Sequence, residues 1–229
     1  NGTSWSISVP IVSMVGGAGK AGAGSGTTAA IFGGFKSPNN PVFETYLFNQ
    51  ATNVCSTTPF CLATWSGAAS MITARAFLAG TGEQNAAFVV GGLTPSQTGA
   101  TEEYNGSSWT AVTAMPSGLR ETARAGTSAH AGMVWTGQPN KTFEYDGTNW
   151  SNGGSLSIAR YLNLSTGTQN DAVTTGGQPG STSTEEYNGS TWATGGNLPG
   201  GKGDVTGAMM GVGAYDATFA GGMTPTRLS

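Results

Sequence analysis

Residues 101–109 read TEEYNGSSW, and the cassette returns as TFEYDGTNW at 142–150 and as TEEYNGSTW at 184–192. Each copy predicts a β-hairpin. A short strand-compatible run ends in Tyr, an Asn-Gly or Asp-Gly pair offers the positive φ angles of a type I′ turn, and the chain resumes with Trp. The Tyr-to-Trp interval is five residues in all three copies, so the hairpin register is expected to be constant.

Working outward, a second signal accompanies each cassette. Short apolar runs closed by glycine recur as AAIFGG at 29–34, AAFVVGG at 86–92, GMVWTGQ at 132–138, AVTTGG at 172–177 and ATFAGG at 217–222. They predict inner strands that end where backbones approach closely. From Trp5, Trp65, Trp109, Trp150 and Trp192 to the next such glycine there are 28, 26, 28, 26 and 29 residues. That stretch carries a Leu or Met and often an arginine, as in MITAR ending at Arg75 and LSIAR ending at Arg160. Arg75, Arg120 and Arg160 are expected near the starts of inner strands in a structural role.

Each unit therefore offers four short strands, too few to bury both faces alone, and must stack on copies of itself. The order of diglycine, Tyr, Trp and then Arg resembles the kelch repeat over essentially the whole chain. The resemblance implies an all-β, five-bladed kelch-like β-propeller with four-stranded blades, a single domain over 1–229. The blades are expected at 6–65, 66–109, 110–150, 151–192 and 193–229 plus 1–5. Seven residues follow Gly222, MTPTRLS, and seven separate Gln138 from the Asp146-Gly147 turn. Overlaying the two puts the N-terminal NGTSW in the outer strand of the last blade, so the ring is expected to close by pairing of the termini. Asn1 begins within a repeat unit, which suggests a chain cut or processed from something longer.

Composition narrows the functional classes. Only 9% of residues are charged and the formal net charge is -3, with nine Lys and Arg scattered along the chain. No basic footprint for nucleic acid results. No apolar run approaches the roughly 18 residues of a spanning helix, so no membrane insertion is expected. His130 is the sole histidine; a Ser-His-Asp triad would have to use it and no nucleophile motif accompanies it, while the paired-histidine copper site that some kelch-type propellers hold cannot be built from one histidine. No catalytic residue, cofactor or metal site is expected. Glu102, Glu103, Glu185 and Glu186 alternate along the strands and are expected to be solvated. The tryptophans, one per unit, are expected to pack between blades rather than to stack on sugars. Six N-x-S/T triplets follow from turn chemistry and do not argue for glycosylation.

One hairpin is irregular. Tyr46 and Trp65 lie 19 residues apart, an apparent insertion of 14 that holds Cys55 and Cys61. A disulfide pinning this loop in an oxidising setting is expected, with two reduced thiols as the alternative. Binding is expected on the connections that follow each diglycine, with Phe35, Lys36, Asn39, Asn40, Ser96, Gln97, Asn140, Lys141, Gln178 and Ser181 as the ligand-facing candidates.

The cassettes also look like the kelch-like arrays carried by virion proteins of marine and cyanobacterial bacteriophages. That resemblance implies a non-enzymatic module of a fibre, tail or capsid surface. Its partners would be other virion proteins in a larger assembly, and its loops would meet a host cell-surface glycan from an extracellular position. A secreted sugar-binding lectin propeller is the alternative, and an extracellular glycan hydrolase or lyase using Asp171, Asp204 and Asp216 is a second.

Overall fold

A computed structural model describes residues 21–25, 28–32, 45–49, 64–120, 123–126, 132–135, 140–178, 181–199, 208–210 and 216–220. Among them there is no helix, and the chain is built from antiparallel strands in sequence order. The first sheet is β1 (Ala21–Ser25), β2 (Thr28–Phe32), β3 (Thr45–Asn49) and β4 (Thr64–Gly67). The second joins β5 (Ala79–Glu83), β6 (Ala86–Val90), β9 (Thr101–Tyr104) and β10 (Trp109–Val112). Between its middle strands stands a small hairpin, β7 (Leu93–Thr94) with β8 (Ser96–Gln97).

The third sheet is β11 (Ala123–Gly126), β12 (Gly132–Trp135), β13 (Thr142–Tyr145) and β14 (Trp150–Asn152). The fourth is β15 (Leu164–Thr168), β16 (Asp171–Thr175), β17 (Thr184–Tyr187) and β18 (Trp192–Thr194), after which β19 (Ala208–Met210) pairs with β20 (Thr218–Ala220). The first strands of successive sheets lie side by side, β1 against β5, β5 against β11, β11 against β15 and β15 against β19. This is a propeller-like arrangement. Residues 1–5 and 223–229, which carry the expected closure, lie outside the described residues, as do Cys55, Cys61 and His130.

The cassette register is constant. Tyr104, Tyr145 and Tyr187 stand directly opposite Trp109, Trp150 and Trp192, and the paired rings lie 5.0, 5.0 and 4.8 Å apart in tilted contact. Such pairs contribute about 0.5–1.5 kcal/mol beyond their buried area. The connecting turn differs from expectation. It is a four-residue loop, and only its glycine has positive φ, 92° at Gly106 and 87° at Gly189. The side chain replaces the second strained residue. Asn105 Oδ1 accepts from the N–H groups of Ser107 and Ser108 at 3.0 and 2.9 Å, and Asp146 and Asn188 do the same in their copies.

The irregular hairpin is also realigned. Phe48, not Tyr46, stands opposite Trp65, so the interval comparable to the five-residue one is 17 and the insertion is 12. Tyr46 pairs with Ile31 as Glu102 pairs with Val89, which puts it two positions earlier in the register. The match of one aromatic to another had concealed the shift.

Blades are joined through the aromatic cassettes. The Trp109 indole donates to Thr45 Oγ1 of the first sheet at 3.1 Å and to the Ala69 carbonyl, two residues past that sheet's last strand, at 3.0 Å. Trp150 donates to the Thr113 carbonyl and Trp192 to Thr142 Oγ1, each at 2.8 Å. Apolar clusters fill the same seams: Met71, Leu78, Val89, Tyr104 and Trp109 in one, Phe88, Val90, Met115, Leu119, Phe143 and Tyr145 in the next.

Candidate functional site

The two ends of each sheet differ in kind. One end carries the short turns and the cassette loops, which touch: a Cβ added at Gly106 would lie 3.2 Å from Asn85 Oδ1. The other carries the diglycines and the long connections, including 91–100, 113–120 and 153–163. There the glycines are required. Gly92 has φ of 105°, and a Cβ on it would lie 2.7 Å from the Ala76 carbonyl oxygen; Gly177, at 93°, repeats this against Tyr161 at 2.8 Å.

Beneath this end lies the structure that holds the connections in place. Arg75 and Glu102 form a fully buried ion pair at 2.9 Å, and Arg160 and Glu185 form another at 2.6 Å. Glu102 also accepts from the N–H groups of Ile72 and Thr73 at 2.8 and 3.2 Å, and Glu185 from Ser157 N–H at 2.7 Å. Each arginine donates to the diglycine carbonyl, Gly91 or Gly176, at 3.3 Å. It donates again to the carbonyl preceding the third strand, at Ala100 or Ser183. The expectation that Glu102 and Glu185 are solvated is therefore overturned. They face inward because an arginine more than twenty residues upstream supplies the charge and donors that burial demands.

Burial draws each guanidinium below its usual pKa, and the paired carboxylate opposes the shift. Just past each arginine the backbone turns through an unusual residue, Phe77 or Leu162, both at φ of 54°. Bulky side chains rarely adopt that region, and two units share it.

Arg120 is not part of this set. The position four residues after Met71 and Leu156, both buried, is taken by the arginines; four after buried Met115 it is Leu119. The matching strand position holds Phe143 instead of glutamate, and Leu119 and Phe143 belong to one buried apolar cluster. Arg120 itself is exposed.

Of the candidate loop residues, Ser96 and Gln97 form the exposed strand of the small hairpin, and Lys141 is exposed beside β13. Asn140 is half-buried and bridges to the next connection, donating through Nδ2 to the Leu156 carbonyl and accepting from Leu156 N–H at 2.9 Å. Gln178 pairs with Tyr161 in an isolated antiparallel bridge. Ser181 Oγ lies 2.8 Å from Ser183 Oγ and accepts from Ser183 N–H at 3.0 Å. Phe35, Lys36, Asn39 and Asn40 lie outside the described residues.

Sequence reasoning missed three exposed side chains on this end: Ile72 at 60%, Ile158 at 42% and Tyr161 at 38% relative exposure. Ile72 lies within the MITAR run, Ile158 within LSIAR, and Tyr161 directly follows Arg160. The tyrosines and tryptophans of the cassettes are spent on the seams. The Tyr187 hydroxyl donates to Glu144 Oε1 of the preceding unit, and Gln169 Nε2 reaches Glu144 Oε2 at 3.4 Å. Burial pushes Tyr187 up to about 12, with the Glu144 hydrogen bond adding to the shift. Burial, followed by the charge of Glu103, pushes Tyr145 up to about 12. Among the described residues no group of three His, Cys, Asp or Glu is placed to hold a metal ion.

No protein-family model matches the chain, and a search of curated proteins gives no match. Solved structures do match. One described as "Structure of YjhT" aligns with a TM-score of 0.71 at 13% identity, covering 90% of this chain and 77% of that one. At that identity the likeness is one of fold, and it accords with the propeller-like arrangement of the sheets.

Proposed function

We propose that the chain is a non-enzymatic display module of a virion surface, a five-bladed ring closed by pairing of residues 1–5 with the last blade. Its diglycine end takes a glycan of the host surface, and its other contacts are with virion proteins of a larger assembly. The observation that supports glycan recognition is Tyr161. It is a part-exposed residue whose backbone is bridged to Gln178, close in sequence to Ile158 and next to Arg160, which donates to Ser183 Oγ, itself paired with Ser181 Oγ. An aromatic platform beside amide and hydroxyl groups suits a pyranose, whose apolar face stacks while its hydroxyls bond at the edge.

A lectin with a repeated pocket in every blade has less support, because the position of Tyr161 in the second unit is Ala76, fully buried. Asp171 and Asp216, candidates for a hydrolase, begin or precede second strands at the opposite end from the long connections. Glycan-array binding by the intact protein tests the proposal. Tyr161→Ala is expected to weaken the strongest glycan by about tenfold, the scale of one lost stacking contact of 1–1.5 kcal/mol. An empty array, or binding untouched by the substitution, refutes it.

A further inference from the structure

The described residues contain three Asn-Gly pairs, Asn105-Gly106, Asn152-Gly153 and Asn188-Gly189, and all three asparagines are exposed. Exposure does not distinguish them, but hydrogen bonding does. Gly153 N–H donates to the Thr142 carbonyl at 3.0 Å, and Asn152 is held in the ladder opposite Phe143. Gly106 and Gly189 N–H groups donate to no protein group among the described residues. Meanwhile Asn105 Oδ1 accepts two backbone N–H groups at 3.0 and 2.9 Å, and Asn188 Oδ1 accepts the equivalent pair at 3.0 and 2.9 Å.

We infer that Asn105 and Asn188 are self-modifying sites that convert to aspartate in the folded protein, whereas Asn152 is protected. The Gly106 nitrogen loses its proton to solvent base and attacks Cγ of Asn105. Negative charge gathers on Oδ1, where two N–H donors already point, the arrangement that stabilises an oxyanion. The Cγ–Nδ2 bond breaks, ammonia takes the proton it needs from water, and a succinimide remains. Water then opens the ring to aspartate or to its β-linked isomer. The balance is one water consumed and one ammonia released at each site.

The cassette of the third unit shows that the aspartate product fits. Asp146 occupies the same loop position and accepts the same two N–H groups, at 2.8 and 2.7 Å. Those N–H donors, Asn149 first and Thr148 next, hold the Asp146 carboxylate below its usual pKa. Opening to the α-linked aspartate thus places a carboxylate in each of the other two loops without removing their bonds. The β-linked isomer carries its carboxylate on the backbone carbon and cannot cap the loop in this way.

Peptide mapping of the native and the denatured chain, incubated in parallel at mildly alkaline pH, tests the inference. In the native protein Asn105 and Asn188 are expected to convert within about threefold of their denatured rates, and Asn152 at least about tenfold more slowly than its own. Equal suppression of all three, or faster conversion at Asn152, overturns it. A chain carrying Asn105→Asp and Asn188→Asp is expected to keep its Tm; a marked fall shows that the product does not fit and overturns the inference as well.

Discussion

The second and fourth units bury an arginine and a glutamate where the third buries a leucine and a phenylalanine. All three build the same sheet with the same Tyr–Trp register. The site beneath the diglycine thus accepts either a complete ion pair or a complete apolar pair. A mixture leaves one buried charge without its partner, a far larger cost than the difference between the two complete solutions. A milder version of the contrast recurs at the seams. Tyr145 and Tyr187 meet Glu103 and Glu144 of the preceding unit, whereas Tyr104 shares its cluster with Leu47.

The sharpest way to break this comparison is to mix the two solutions. Arg160→Leu alone strands Glu185 in the interior and is expected to cost about 3–5 kcal/mol in chemical denaturation. Adding Glu185→Phe, which copies the third unit, is expected to restore stability to within about 2 kcal/mol of the parent. A double variant no better than the single one would mean that the two solutions are not interchangeable.

Alkaline pH probes the seams. A tyrosine whose folded pKa lies above its unfolded value contributes stability that is complete below about pH 10, the unfolded value. That stability drains as pH rises toward the folded value of about 12 at Tyr145 and Tyr187. Unfolding midpoints are therefore expected to be flat up to about pH 10 and to fall steadily above it. Replacing both tyrosines with phenylalanine should flatten the fall. A slope unchanged by the replacement would assign it to other groups.

The smallest effect is expected from Glu103→Leu, which copies the apolar seam of the first unit. Among the described residues Glu103 Oε1 is buried without a hydrogen-bond partner, so its removal relieves one cost while depriving the Tyr145 hydroxyl of a hydrogen-bonding carboxylate. The two changes oppose, and a net shift within about 1 kcal/mol is expected. A loss of several kcal/mol would show that the seam depends on the carboxylate.

Much of the architecture could be read from spacing. The five-residue interval, the diglycines and the outward sequence of strands are local patterns, and local patterns repeat visibly. The buried ion pairs could not be read in the same way, because TEEY alternates as a half-solvated strand does and its partner is more than twenty residues away. One signal was present: the arginine and the first glutamate occur together in two units and are both missing from the third, as Leu119 and Phe143. Tyr46 misled for the opposite reason. An aromatic letter was matched where Thr45, the threonine that opens each third strand, sets the register. Tyr161 was hidden because exposure depends on what the rest of the chain leaves uncovered, which no short run of letters encodes.

Among the described residues, four indole and phenol ties point one way, from one sheet to the sheet made before it or to the residue that follows it. A ribosome releasing this chain therefore presents each of these acceptors before its donor. Each emerging unit can dock on a finished surface, and assembly can proceed as ordered addition rather than as a search among look-alike modules.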